Sequence, residues 1–210
     1  MFKNIKIGTK LIIVSILLSL APLVVVGLVS YRNGASALMH EILDSLEESA
    51  SAAMDKIDRN LFERYGDVQA ITSVPTVFMA MQGEEDDLEA LPKYVDTVTI
   101  IYGIYDLMIA AGKDGRIKAV NTVDSTGKPI NSGHLIGKDV SRERWFQQVI
   151  EGTIKSGESY VEDYHVNDFV KSVYGADRYT IIFAAPIKNN NGEIIGGWAN
   201  FAKREIIQEI

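Results

Sequence analysis

The chain has 210 residues and a hydrophobic content of 47%, enough for one ordinary domain plus an anchor and too apolar for a disordered tail. Its net charge of -7 is unevenly spread: residues 1–34 hold Lys3, Lys6, Lys10 and Arg32 and no acid, which leaves 17 basic and 28 acidic side chains for the rest. An acidic body repels phosphate backbones, which excludes nucleic acid as a partner. The absence of cysteine excludes disulfides, thiolate nucleophiles and cysteine-based zinc sites.

Leu11 to Tyr31 is a run of 21 residues without a charge. As a helix it rises about 30 Å, the thickness of a bilayer's hydrocarbon core. Three lysines precede it, and an excess of Lys and Arg marks the cytoplasmic side. A spanning helix over 11–31, after a cytoplasmic segment 1–10, therefore carries everything beyond Arg32 to the outside. The run is longer than the about 7–15 residues of a cleaved signal peptide, and no Ala-x-Ala site follows it. Pro22 lies mid-span, where membrane helices tolerate it.

From residue 32 to about 81 the apolar residues recur at three- and four-residue steps: Leu38, Ile42, Leu46, Ala50, Ala53, Ile57, Leu61, Tyr65, Val68 and Ile71. That spacing places them on one face of a long helix, with Pro75 as its break or kink. So long a rod must bury its stripe on the downstream domain, on a partner helix, or on both in succession. Beside a membrane, a near-heptad stripe predicts a homodimer through this stalk. Residues 82–93, with their run of acids, read as a solvated connection or a helix start.

The period changes near Tyr102. Ile104 to Ala111 fits a buried strand, Asp114-Gly115 a tight turn, and Ile117 to Asn121 the returning strand. Residues 124–138 read as a loop, and Arg142 to Glu151 as a short helix ending at Gly152. Residues 158–165 and 178–187 read as strands; Asn191-Gly192 turns the last hairpin, and Glu193 to Ala202 closes the sheet. A helix begins in 204–210. Antiparallel hairpins with helices to one side define an α+β fold, with the sheet module over 82–203.

Several of these segments together resemble the Cache-domain (double-Cache type) bacterial chemoreceptors. They are the stalk run Met54 to Gln69, Tyr105-Asp106-Leu107-Met108, the Lys113-Asp114-Gly115 turn, Arg144-Trp145-Phe146, and Ala184-Ala185-Pro186-Ile187 before Asn191-Gly192. The resemblance implies a PAS-like five-stranded antiparallel sheet that binds a small molecule under a short lid helix. It also implies the N-terminal sensory part of a methyl-accepting chemotaxis protein, or of a histidine kinase or cyclase, in the bacterial cytoplasmic membrane.

Ligand contacts are expected from Trp145 and Phe146 on the lid and from Tyr160, Asp163 and His165 on the adjoining strand. Tyr105, Asn121 and Asn200 on neighbouring strands complete the set. Strict alternation puts Tyr160, Glu162 and Tyr164 on one face and Val161, Asp163 and His165 on the other. A carboxylate among aromatic rings suits a cationic ligand such as an amine; Asp163 equally fits a turn cap or a pair with Arg178. Amino-acid-binding relatives carry Arg-x-Trp-Tyr on the lid and an Asp in the last strand. The matching positions here are Glu143, Trp145, Phe146 and Asn200, so the Arg and Asp that grip an amino acid are absent. No cofactor, metal or catalysis is expected: there is no paired histidine, phosphate loop or Gly-x-Ser-x-Gly elbow.

Overall fold

The computed structural model describes residues 6–155 and 157–208, so residues 1–5, residue 156 and the last two lie outside the described residues. The chain divides into two compact units, residues 1–54 and 55–210. The first is helical throughout its described length from Ile7, as part of helix α1 (Ile7–Thr72). Its apolar side chains lie open: Leu11, Leu17, Leu23 and Val26 are each more than half exposed. Among the described residues, α1 is the one helix long and apolar enough to cross a membrane.

In the second unit α1 stops at Thr72, nine residues short of the expected end of the stalk. Val74 adopts an extended conformation, as a residue before proline does, and Pro75 opens helix α2 (Pro75–Gln82) at a position that needs no N–H donor. The acid run then begins helix α3 (Glu85–Tyr102), where Glu85, Asp86 and Asp87 occupy the first turn and meet the positive end of the helix dipole.

Five antiparallel strands follow: β1 (Tyr105–Gly112), β2 (Ile117–Val120), β3 (Tyr160–Val166), β4 (Tyr179–Lys188) and β5 (Ile194–Lys203). They lie in the order β2-β1-β5-β4-β3. Helices α4 (Arg144–Ile150), α5 (Asp168–Tyr174) and α6 (Glu205–Gln208) complete the module. One face of the sheet packs on the last turns of α1 and on α2 and α3, burying Val68, Ile71, Leu91, Val95, Met108, Phe183 and Trp198. The other packs on α4, α5 and the 124–138 segment, burying Leu107, Ile109, Leu135, Trp145, Phe146, Ile182 and Phe201. Because both faces are covered, β1 is buried at every position and β3, at the sheet edge, is not.

Candidate ligand site beneath the lid helix

Helix α4 lies against β3, β4 and β5. It sits this low because of β5: a Cβ built on Gly197 would stand 3.0 Å from Val149 Cγ1 and 3.5 Å from both the Phe146 and Trp145 rings. The two rings meet edge to face at 5.5 Å, and both are buried. Trp145 is fully enclosed, yet its Nε1–H has no hydrogen-bond partner.

From β3, Tyr160 and Glu162 reach the same side, since they pair with Ala184 and Ile182 on β4. Glu162 Oε2 is a second buried atom without a partner. A break in the ladder between Glu162 and His165 then shifts the alternation. His165 therefore joins Glu162 instead of opposing it, with Nε2 at 3.8 Å from Oε1, and its Nδ1–H donates to the Asp163 carbonyl at 2.7 Å. Tyr164 turns away and stacks on Tyr179 at 5.0 Å. Glu143, just before α4, is half-buried. Burial raises its pKa above the ordinary 4.5, the Glu162 and Asp168 carboxylates raise it further, and His165 opposes them. Three carboxylates, the three aromatic rings of Trp145, Phe146 and Tyr160, and one unpaired indole N–H thus share this side of the sheet.

The other candidates lie elsewhere. Asp163 is exposed on the stalk side, where it faces Asp58 across a groove, and its Oδ1 accepts from the Tyr164 N–H. Arg178 pairs with the buried Asp106 at 2.6 Å, not with Asp163, and lies over the Tyr174 ring. Asn121 clasps backbone: its Oδ1 accepts from Met108 N–H at 2.9 Å, and its Nδ2 donates to the carbonyls of Asp106 and Val123. Tyr105 and Asn200 belong to a polar chain on the helix-covered face. There Trp198 Nε1 donates to Asn200 Oδ1 at 2.6 Å, and the Tyr105 hydroxyl donates to Asp67 Oδ2 on α1 at 2.9 Å. The Asn200 amide stands beside the same phenol. Arg64 Nε lies 3.1 Å from Asp67, close enough for an ion pair but misaligned for a hydrogen bond. Burial pushes the Asp67 pKa up, against the pull of Tyr105 and Arg64.

The residues that sequence reasoning passed over are Glu143 and Glu162. Glu162 was legible as the neighbour of Tyr160 on its face, but the carboxylate given the ligand role was Asp163.

No family model matches the chain. No curated protein matches it either. Solved structures do. The sensor domain of the Vibrio cholerae histidine kinase DctB is similar with a TM-score of 0.56 at 12% identity, over 79% of this chain and 59% of that one. The ligand-binding domain of the Campylobacter jejuni chemoreceptor Tlp3, solved with L-valine, gives 0.56 at 13% identity, over 76% and 58%. That of the Pseudomonas aeruginosa amino acid chemoreceptor PctC, solved with GABA, gives 0.54 at 14%, over 79% and 63%. The fold is that of Cache-type sensor domains of chemoreceptors and histidine kinases. The chain spans about three fifths of the length of these structures.

Proposed function

We propose that the chain is the extracytoplasmic small-molecule sensor of a transmembrane chemoreceptor, anchored by the first part of α1. It pairs with a second copy through that helix and passes ligand occupancy along it to a cytoplasmic signalling region. The observation that carries the reading is that two buried atoms on the α4-covered side of the sheet have no partner, the Trp145 N–H and Glu162 Oε2. Buried polar groups without partners cost free energy, and a donor with an acceptor on one side of the sheet fits a ligand that supplies the reverse. Glu162, Glu143 and Asp168 attract an ammonium, while Tyr160, the part-exposed ring on this side, offers it a ring face. The Trp145 N–H calls for an acceptor oxygen, and three carboxylates repel a charged one. The ligand is therefore a net cation, an amine bearing a hydroxyl, carbonyl or amide oxygen, in contrast to the zwitterions L-valine and GABA of the Tlp3 and PctC structures. Of the candidate residues, we assign Trp145, Phe146, Tyr160 and His165 to this site as its lining or support. The likeness to DctB fits a histidine kinase output equally well.

A thermal-shift screen of the full chain in detergent against amines, amino acids, organic acids, purines and sugars tests the reading. A ligand at 100 times its Kd stabilises the folded state by about 2.7 kcal/mol. Amines are expected to raise the melting temperature and the other classes to leave it unchanged. Glu162→Gln keeps the shape but removes the charge, so it is expected to weaken amine binding by about tenfold or more while leaving the fold's own stability equal or better. An amine shift of equal size in Glu162→Gln would remove Glu162 from the site.

A pH dependence follows from Glu143. Its pKa is raised in the folded state, so it favours folding at acid pH and this contribution is lost as pH rises through the raised value. A bound ammonium favours the ionised form instead. Amine affinity is therefore expected to strengthen from mildly acidic to neutral pH, with proton release on binding, and calorimetric titration at both pH values measures this. Glu143→Gln flattens the profile.

A further inference from the structure

On the stalk side of the sheet an open apolar groove of about 560 Å³ runs between α1 and the β3–β4 edge, walled by Leu61, Tyr65, Val161, Ile181 and Phe183. Its lip is Phe62, an aromatic ring that the described residues leave 76% exposed. The groove is not an isolated dent. By helical spacing Leu61 and Tyr65 continue the stripe Leu38, Ile42, Leu46 along one face of α1. Higher up, Val68 and Ile71 of that stripe are buried by the module; lower down, Leu38 and Leu46 are more than half exposed. The stripe thus passes from self-covered to uncovered at the groove.

We propose that a second copy of this chain fills the groove, each copy setting its Phe62 against the partner's exposed Val161. The proposal rests on the reading that α1 pairs with a second copy, and extends that contact from the helix onto the sheet. A two-fold contact is self-complementary, so one surface must offer both knob and hole; Phe62 and the groove beside it meet that condition. Charge agrees. The exposed carboxylates Asp58 and Asp163 stand at the groove, and the exposed Arg59 lies one turn before Phe62 on α1. Docking Phe62 brings Arg59 toward the partner's Asp163, which fixes register at the rim while the apolar contact supplies the burial.

Because the chain has no cysteine, single cysteines report contacts without background. Full-length chain with Phe62→Cys is co-expressed in bacterial membranes with a differently tagged copy carrying Val161→Cys, and crosslinked between tags. The expected result is a several-fold excess of mixed dimer over a control pairing Val161→Cys with Lys113→Cys on the exposed β1–β2 turn. A Leu46→Cys pair tests stalk pairing alone. If Leu46→Cys crosslinks while the Phe62→Cys and Val161→Cys pair stays at the control level, the groove is overturned and stalk pairing stands. If neither crosslinks, both are overturned. Phe62→Ser provides a second measurement: with melting unchanged, since the ring is exposed, the dimer fraction in nanodiscs is expected to fall. An unchanged fraction counts against the groove.

Discussion

Trp145→Ala is expected to destabilise the sensing module by about 3–5 kcal/mol, the range for truncating a fully buried tryptophan. The ring has no exposed surface, meets Phe146 edge to face and rests over Gly197 in the middle of β5. Removing it leaves a cavity under α4 that the helix cannot close, because α4 is already in contact with the β5 backbone. Denaturant unfolding of the full chain measures the loss. A drop below about 1 kcal/mol would mean that α4 settles into the gap, the collapse that lowers the cost of large-to-small changes. The size of this effect makes Trp145→Ala a poor probe of ligand contact, since a module that loses the ring loses its lid. Trp145→Phe is the better probe: it keeps most of the packing, removes the unpartnered N–H, and is expected to cost much less stability while weakening a ligand that offers an acceptor oxygen.

Asn121→Ala is expected to cost about 3 kcal/mol, again through stability and not through a ligand. The amide makes three hydrogen bonds to backbone, at 2.9 Å from Met108 N–H and at 3.1 and 2.9 Å to the Asp106 and Val123 carbonyls. Ser132 Oγ–H also donates to the Asn121 carbonyl, which ties the 124–138 segment to the same point. Alanine leaves buried backbone groups unpaired, at about 1–3 kcal/mol for such a loss. For a module of this size the melting temperature is expected to fall by about 10 °C. Asn121→Asp is the sharper version: it places a carboxylate oxygen where the amide donated to two carbonyls, and should cost at least as much. Hydrogen exchange locates the effect, with the Met108 amide losing protection before the amides of β4.

Asn121 also marks where sequence reading stops. The strands could be placed to within a residue or two because local chemistry announces them: Gly115 and Gly192 supply the positive φ that their hairpin turns need, and the apolar runs between are long enough for strands. Helix α3 was harder, since its acidic opening and Pro92 look like a loop until the helix is seen to begin at Glu85. Of the candidate site, residue types are legible in the sequence and face assignments are not. Trp145 and Tyr160 were picked out by residue type and neighbourhood, and they do share a side of the sheet. Strict alternation sets His165 opposite Glu162, and the ladder break that brings them to one side has no sequence signature. Tyr105, Asn121 and Asn200 read as ligand contacts because a buried polar residue on a strand looks the same in sequence whether it serves a ligand or, as Asn121 does, the backbone, or, as Tyr105 and Asn200 do, other side chains of the protein. Only the partner atoms tell them apart.

The polar chain on the other face of β5 has a mechanical consequence. Apolar ridges slide past one another at small cost, but a hydrogen bond is directional and short-ranged. The Tyr105 hydroxyl holds Asp67 at 2.9 Å, so moving α1 along its axis by one residue's rise, about 1.5 Å, breaks that bond unless β1 follows. Any axial slide of α1 against the sheet would thus meet a detent at this bond, one setting that the helix leaves only by breaking it.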